Sequence, residues 1–170
     1  MSDDLRHICL ISGKDSLATT IVQMERSPDL PYEFLFNPTG LELPEVFDWL
    51  DAVEKALGIE IIQVWVDLEE LIKKNNYFLP SQRARYCTRQ CKIEPMEEYV
   101  GEDEAFVYYG IRADENRTGH VPKHDNLTPK YPLIEEGIDL NGVYRIINDK
   151  GLKPPTFFCV MTYELVKTKL

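Results

Sequence analysis

Short apolar segments alternate along the chain with segments whose apolar residues recur at helical spacing. Residues 6–11 are the first apolar segment and predict a strand. After it, Leu17, Ile21 and Met24 recur every three to four residues, which predicts a helix up to about Arg26. The chain therefore begins with a predicted strand that leads into a helix.

The same alternation continues in the following segment. A second strand is predicted over residues 32–36, and an amphipathic helix over residues 44–57 is followed by Gly58 as its C-cap. Residues 59–66 are almost continuously apolar or β-branched, which is typical of a parallel strand buried on both faces. Asp67 then predicts the start of a short helix.

The rest of the chain predicts one more strand of the sheet and a larger share of loops. Three β-α units followed by a strand predict a doubly wound α/β sheet, mostly parallel and flanked by helices, whose ligands bind at the carboxyl ends of the strands. We expect one domain over residues 1–170, with a loop-rich part over 113–170. The elements predicted here are an irregular segment over 75–85, a helix over 87–100, a strand over 105–109, loops up to residue 131, a helical pattern over 138–149 and a strand-like run over 156–161.

The charge of the chain limits its partners. Lys and Arg number 19 against 29 Asp and Glu, a formal net charge of −10, which argues against general nucleic-acid binding. The N-terminal residues are acidic and no uninterrupted apolar run approaches the length of a membrane span, so we expect a cytoplasmic protein. The one dense basic cluster is Arg83, Arg85, Arg89 and Lys92.

The turn between the first strand and the first helix is suited to a phosphate group. The first N–H groups of a helix have no partner within the helix and lie at the positive end of its dipole, so they attract anionic oxygens. Gly13 lets the backbone approach such an anion, and Lys14 adds a positive charge. Asp15 is a candidate magnesium ligand or helix cap, and Ser16 supplies a hydroxyl group.

This turn resembles the PP-loop, SGGKDS, of the adenine nucleotide alpha-hydrolase superfamily. It is not a Walker A loop, because Lys14 is followed by Asp, and it departs from the PP-loop in having Ile11 and Ser12 where the family has Ser and Gly. Four further segments resemble, in the same order, motifs of the phosphoadenylylsulfate (PAPS) reductase branch. They are residues 37–45, residues 85–88 with Lys92 and Pro95, residues 110–117 and residues 131–134.

The resemblance implies a nucleotide site built from the loops that follow several strands. Its candidate catalytic residues are Lys14, Asp15 and Arg112, with Arg112 binding phosphate or sulfate from the side opposite Lys14 and Asp15 as the magnesium ligand. The nucleotide-binding residues that the resemblance implies are Ser12, Gly13, Lys14, Asp15, Ser16, Asn37, Thr39, Gly40, Gly110, Arg112 and Arg117.

Simpler interpretations of three of these residues stay open. Thr39 and Gly40 either leave room for adenine and ribose or form an ordinary turn before a helix. Arg112 either binds the anion or forms an ion pair with Asp114 or Glu115.

The four cysteines are too few for a secreted disulfide framework, so we expect core thiols or site residues. Cys87 and Cys91 are four residues apart, which on an α-helix places their β-carbons about 5–6 Å apart, too far for an unstrained disulfide. Basic neighbours make both of them candidate reactive thiols. Some relatives bind a four-iron cluster through two cysteine pairs, but here only Cys159 lies downstream and Cys9 belongs to the first strand, so we expect no iron–sulfur cluster.

A histidine pair offers a second, weaker candidate site. His120 and His124 are four residues apart and Asp125 follows, a spacing found in metal sites. Because Pro122 disfavours a helix there, a solvated lid loop is the preferred interpretation.

The leading functional hypothesis is an enzyme that binds ATP with magnesium and cleaves ATP between the α and β phosphates. The products of this cleavage are pyrophosphate and either AMP or an adenylylated acceptor. Relatives use the same cleavage to activate a substrate for sulfur or nitrogen transfer, and some relatives accompany defence systems. One alternative is a PAPS reductase, although the family's reductases carry a reactive cysteine on a C-terminal tail and this chain has none after Cys159. The alternative of another class is a nucleotide-binding accessory subunit of a nucleic-acid-associated complex, acting through a protein partner or as a homo-oligomer.

Overall fold

The computed structural model describes residues 5–80, 86–116, 119 and 122–155, which contain a five-stranded sheet. The strands are β1 (Arg6–Leu10), β2 (Tyr32–Phe36), β3 (Ile61–Gln63), β4 (Ala105–Tyr108) and β5 (Leu127–Lys130). Their order is β3-β2-β1-β4-β5, and every neighbouring pair is parallel. The carboxyl ends of all these strands therefore lie along one edge of the sheet.

Helices cover both faces of the sheet, which confirms the predicted doubly wound α/β fold. They are α1 (Lys14–Arg26), α2 (Pro44–Leu57), α3 (Leu68–Lys74), α4 (Tyr86–Thr88), a π-helical segment (Arg89–Ile93), α5 (Glu94–Val100), α6 (Pro132–Glu135) and α7 (Leu140–Asp149). Apolar residues of α1, α2 and α7 pack together against one face of the sheet, around Cys9 and Phe34. On the opposite face, Met96 and Val100 of α5 pack with Ile8. None of the helices in the described ranges has the length and apolar character needed to cross a bilayer.

Capping residues determine several helix ends, as the sequence predicts. Gly58 adopts the left-handed conformation (φ 65°) after α2, and its N–H donates to the carbonyl oxygen of Glu54. The carboxylate of Asp67 accepts the N–H of Glu70 in the first turn of α3. These local signals explain why α2 ends and α3 begins close to the predicted positions.

The third strand is shorter and more exposed than the apolar segment 59–66 predicts. The strand is limited to Ile61–Gln63, and β3 forms the edge of the described sheet, so it lacks the cover that an interior strand has. The side chain of Trp65, just beyond it, is 63% exposed. On the outer edge, the N–H of Ile61 donates to a carboxylate oxygen of Glu54 at 2.6 Å.

A fifth strand lies where the sequence predicts only loops. Residues Leu127–Lys130 form β5, because the N–H of Tyr109 donates to the carbonyl oxygen of Lys130 and that of Ala105 to the carbonyl oxygen of Asn126. Pro129 is compatible with this pairing because alternate residues of a strand point their N–H groups to opposite sides, and Pro129 occupies an outward position. The strand-like run over 156–161 lies outside the described residues.

The helix predicted over 87–100 contains a wider turn. Residues Arg89–Ile93 are π-helical, and the N–H of Glu94 bonds to the carbonyl oxygen of Arg89, five residues earlier. Pro95 supplies the physical reason: its ring has no N–H and would press on the carbonyl of Cys91, four residues earlier, in a regular α-helix. The wider turn of the π-helical segment relieves this contact between the Pro95 ring and the carbonyl of Cys91.

His7 is a titratable residue buried in this core. Its side chain is 6% exposed, and Nδ1 lies 2.7 Å from the hydroxyl oxygen of Tyr108. Burial lowers the pKa of His7 from its ordinary 6.5 because the charged imidazolium loses hydration. Protonation therefore favours the unfolded chain, whose His7 takes up a proton more readily.

We expect the contribution of His7 to stability to be complete above pH 6.5 and to decline as the pH falls below that value. His7→Gln, which stays neutral, should remove this part of the pH dependence. Urea unfolding between about pH 5 and 7.5 measures it, with the exposed His124→Gln as control. Identical pH profiles for the wild-type protein and His7→Gln would contradict the assignment.

Candidate functional site

The loop between β1 and α1 is closed by its own hydrogen bonds. The Ser16 hydroxyl accepts the N–H of Ser12 (2.8 Å) and donates to the carbonyl oxygen of Gly13 (2.9 Å). Ile11 is fully buried, and its N–H donates to the carbonyl oxygen of Leu35 (2.7 Å), so this position continues the sheet. No side chain in the part of the chain that the structure describes caps α1, which leaves the first N–H groups of this helix available to an anion. The Ser16 hydroxyl thus shapes the loop.

The three candidate catalytic residues lie together at the end of this loop. The carboxylate of Asp15 lies between Nζ of Lys14 (3.1 Å) and Nη1 of Arg112 (3.2 Å to each oxygen). Arg112 also pairs with Asp114 (2.9 Å) and Glu115 (3.5 Å), so its predicted ion pairs exist beside the contact to the loop. The ion pair with Arg112 lowers the pKa of the Asp114 carboxyl. Two cations therefore converge on one carboxylate where the sequence predicts a phosphate.

Gly110 explains how the segment after β4 approaches this loop. A β-carbon at this position would lie 2.6 Å from the backbone nitrogen of Ser16 and 2.7 Å from the carbonyl carbon of Asp15. Real β-carbons essentially never approach backbone atoms so closely, so only glycine fits. The close contact places Arg112, two residues later, against the start of α1.

The turn that follows β2 is held by one carboxylate. Glu42 accepts hydrogen bonds from the N–H and hydroxyl of Thr39 (2.9 and 2.6 Å) and from the N–H of Gly40 (3.0 Å). Gly40 has φ +80°, which favours glycine. Asn37 is buried and donates to the carbonyl oxygen of Val64 (3.3 Å). Asn37 and Thr39 thus shape the turn, and Thr39, Gly40, Leu41, Trp65, Val66, Asp67 and Glu69 line a cleft of about 510 Å³ beside it.

A second cleft, of about 590 Å³, opens directly on the loop. One wall is formed by Gly13, Lys14 and Asp15, and the other by Tyr144 and Asn148 of α7 together with Lys153, Pro154 and Pro155. The sequence did not indicate the residues of this second wall as site residues, nor Trp65 in the cleft beside the turn after β2. The only sequence signals were the four-residue spacing of Tyr144 and Asn148, which places them on one helix face, and an aromatic residue just after a strand.

The cysteine pair does not have the α-helical geometry that the sequence argument assumes. Cys87 lies in α4 and Cys91 in the π-helical segment, so the distance estimated for an α-helix does not apply. Cys91 is buried and Cys87 half-buried, both against the apolar cluster of α3. Arg89, one of the basic neighbours, is 61% exposed and pairs with Glu94 at 2.8 Å. Their role as reactive thiols stays a prediction.

The remaining candidate residues divide into one core residue and several that the structure does not describe. Cys9 is fully buried, and burial raises the pKa of its thiol to about 12, which confirms its prediction as a core residue. In the described ranges, no group of three or more His, Cys, Asp or Glu residues is placed to hold a metal ion. The residues that lie outside those ranges are Arg83, Arg85, Arg117, His120 and Cys159.

Three comparisons relate this chain to known proteins. Residues 6–126 match a family model described as the phosphoadenosine phosphosulfate reductase domain. Two uncharacterized proteins of Methanocaldococcus jannaschii are similar: one is 30% identical over 117 residues, 64% of this chain and 23% of that protein, and the other is 29% identical over 89 residues, 52% of this chain and 21% of that protein. The chain thus spans less than a quarter of the length of these relatives.

The fold is also similar to that of a solved structure. A phosphoadenylyl-sulfate (PAPS) reductase from Candida auris, crystallised as a phosphate complex, superposes with a TM-score of 0.62 at 17% sequence identity. The superposition covers 89% of this chain and 75% of that chain. At 17% sequence identity, this similarity shows the fold alone.

Proposed function

The chain belongs to the phosphoadenosine phosphosulfate reductase domain family, and on that basis we propose that it binds ATP and cleaves it between the α and β phosphates. In this proposal residues 1–170 form one nucleotide-binding domain, and an unidentified acceptor receives the adenylyl group or water releases AMP. The Candida auris reductase was crystallised as a phosphate complex, which supports an anion site in this fold, and we place that site at the loop after β1 because the first N–H groups of α1 begin there.

The observation that carries the proposal is the group formed by Lys14, Asp15 and Arg112. Lys14 and Arg112 supply two positive charges beside the carboxylate of Asp15, and the first N–H groups of α1 add donors at the same end of the helix. Such fixed donors stabilise the charge that develops on phosphate oxygens during transfer, because they need no reorganisation at that moment. In this proposal the backbone of Gly13 approaches the anion, and the hydrogen bond between the N–H of Ser12 and the hydroxyl of Ser16 keeps the loop in shape.

The acidic residue of this group fits a magnesium ion brought by the nucleotide. Magnesium in nucleotide sites is usually held by one or two carboxylates together with substrate phosphates, and Asp15 supplies one carboxylate beside the proposed phosphate position. When bound, magnesium neutralises phosphate charge and orients the leaving group. In the absence of nucleotide, Lys14 and Arg112 balance the charge of Asp15.

A PAPS reductase remains the second candidate, because the matching family model and the superposed structure both carry that description. Sulfonucleotide reduction requires a thiolate that reaches the bound substrate. Of the described cysteines, Cys9 and Cys91 are buried in the core and Cys87 is half-buried against α3. These positions favour adenylyl chemistry, which needs no thiol.

Two assays on the same protein test the proposal. With ATP and magnesium we expect release of pyrophosphate, and with PAPS, thioredoxin and a thiol reductant we expect no sulfite. Catalytic sulfite formation that is lost in Cys159→Ser or Cys87→Ser would favour the reductase instead. ATP binding by calorimetry without any pyrophosphate release would favour an accessory subunit that acts through a partner.

A further inference from the structure

One segment of this acidic chain carries positive charge alone. From Leu71 to Ile93, which we call the basic segment, all six charged residues are Lys or Arg, although the chain as a whole has a formal net charge of −10. The members that the structure describes are Lys73, Lys74, Arg89 and Lys92. The overall charge disfavours a polyanion, so a site for one depends on such a local concentration of cations.

Two aromatic side chains of the basic segment are exposed to solvent. Tyr77 and Phe78 follow α3 and are 64% and 58% exposed, and neither ring belongs to an apolar cluster of the described residues. Tyr77 also has φ 60°, a left-handed conformation that Gly or Asn adopts more readily than a bulky side chain. The turn therefore retains a tyrosine that costs backbone strain and lies outside the core, which indicates a role other than folding.

One hydrogen bond holds this aromatic pair beside an exposed cation. The hydroxyl of Tyr86 donates to the carbonyl oxygen of Phe78 at 2.6 Å. Arg89 follows Tyr86 by three residues in the same helical stretch, so the two side chains are neighbours on its surface. Arg89 is exposed, and its ion pair with Glu94 (2.8 Å) is a surface pair, which is weak and readily exchanged for another anion. The two rings and the guanidinium group therefore lie on one part of the surface.

We infer that the basic segment binds single-stranded nucleic acid, with bases stacked on Tyr77 and Phe78 and phosphates paired with Arg89 and the other described cations of the segment. Every base has a flat π face that stacks on an aromatic ring, and Lys and Arg pair with the phosphates of the backbone. A duplex hides its base faces, and an acidic polypeptide has no bases for the two rings. The inference goes beyond the proposed function, because it needs neither ATP nor the loop after β1.

Fluorescence anisotropy with labelled oligodeoxythymidine and oligouridine, both without terminal phosphates, tests the stacking. Phe78→Ala and Tyr77→Asn should each weaken binding about 5- to 150-fold, the effect of one lost stacking contact. Tyr77→Asn removes the ring but suits the left-handed turn, so its urea unfolding midpoint should not fall below that of the wild-type protein. The control is Tyr144→Ala, which removes an exposed aromatic ring from α7 and should leave the affinity for both oligonucleotides unchanged.

Salt titration of the same binding tests the phosphate contact. Arg89→Ala should lower the slope of log affinity against log salt concentration by about 0.7, the value for one phosphate contact of a single strand. Lys150→Ala is the matched control, because Lys150 also forms an ion pair at the surface, with Glu25 at 2.7 Å, and follows α7. This control should leave the slope unchanged.

The outcomes identify the occupant of this surface. Tighter binding of one of the two oligonucleotides would distinguish DNA from RNA and uphold the inference in either case. No binding by the wild-type protein, wild-type affinity in both Phe78→Ala and Tyr77→Asn, or equal affinity for a duplex of oligodeoxythymidine with oligodeoxyadenosine would each overturn it. A polyglutamate peptide that binds as tightly as the oligonucleotides would overturn it as well and assign the surface to an acidic protein partner. Pyrophosphate release from ATP does not enter these measurements, so failure of the proposed function leaves them intact.

Discussion

Lys14→Ala and Arg112→Ala are each expected to weaken ATP binding about 10- to 150-fold while the protein stays folded. A phosphate that loses a charge-assisted partner loses about 1.5–3 kcal/mol, which converts to that range of affinity. Lys14 begins α1 and Arg112 lies in the segment after β4, and both are outside the apolar clusters. Isothermal calorimetry measures the affinity, and circular dichroism checks the fold.

The control for this pair of substitutions is Arg26→Ala. Arg26 forms exposed ion pairs with Glu135 and Glu136 at the far end of α1. The substitution therefore removes one positive charge at a position away from the loop. Its ATP affinity should equal that of the wild-type protein. Unchanged affinity in both Lys14→Ala and Arg112→Ala, with intact circular dichroism, would remove the site from this loop.

Gly110→Ala is expected to lower ATP affinity by about 100-fold and to destabilise the fold by about 1–3 kcal/mol. The added β-carbon would lie 2.6 Å from the backbone nitrogen of Ser16, so the loop and the end of β4 must move apart. Displacement of binding groups by about 1 Å is enough to cost about 100-fold in function. Urea unfolding and ATP calorimetry on the same sample measure both effects.

Gly58→Ala separates the two effects. Gly58 has φ +65° and open space around its α-carbon, so a side chain there costs about 1–2 kcal/mol of backbone strain and leaves the site untouched. This variant should lose stability and retain ATP affinity. Wild-type affinity in Gly110→Ala would show that the close approach of the segment after β4 does not position the loop.

The parts of the fold that the sequence predicts are those with local causes. The helix ends at Gly58 and Asp67 follow from capping by adjacent residues, and the strand at residues 32–36 follows from a short apolar run. The parts of the fold that the sequence does not predict depend on contacts with neighbouring strands. Residues Leu127–Lys130 form a strand because β4 offers an edge, and the run after Glu60 is exposed at Trp65 because β3 has a neighbour on one side alone in the described sheet.

The candidate site divides in the same way. Lys14 and Asp15 were predicted because the loop, its strand and its helix are contiguous in the chain. The contact of Arg112 with Asp15 follows from the adjacency of β1 and β4, which a doubly wound topology implies. Tyr144 and Lys153 line the same cleft as the loop because α7 packs on α1, and no periodicity in the sequence specifies that packing. Long-range packing is the information that sequence patterns lack.

The hydrogen bonds at the two outer strands have a consequence for self-association. An exposed strand edge invites pairing with another chain when it presents a row of unused N–H groups. Here the outward N–H of Ile61 is occupied by Glu54, that of Leu127 by the carbonyl oxygen of His124 (3.2 Å), and Pro129 has none. Each outer strand of the described sheet thus offers fewer free donors to an incoming strand, which disfavours edge-to-edge pairing at high concentration.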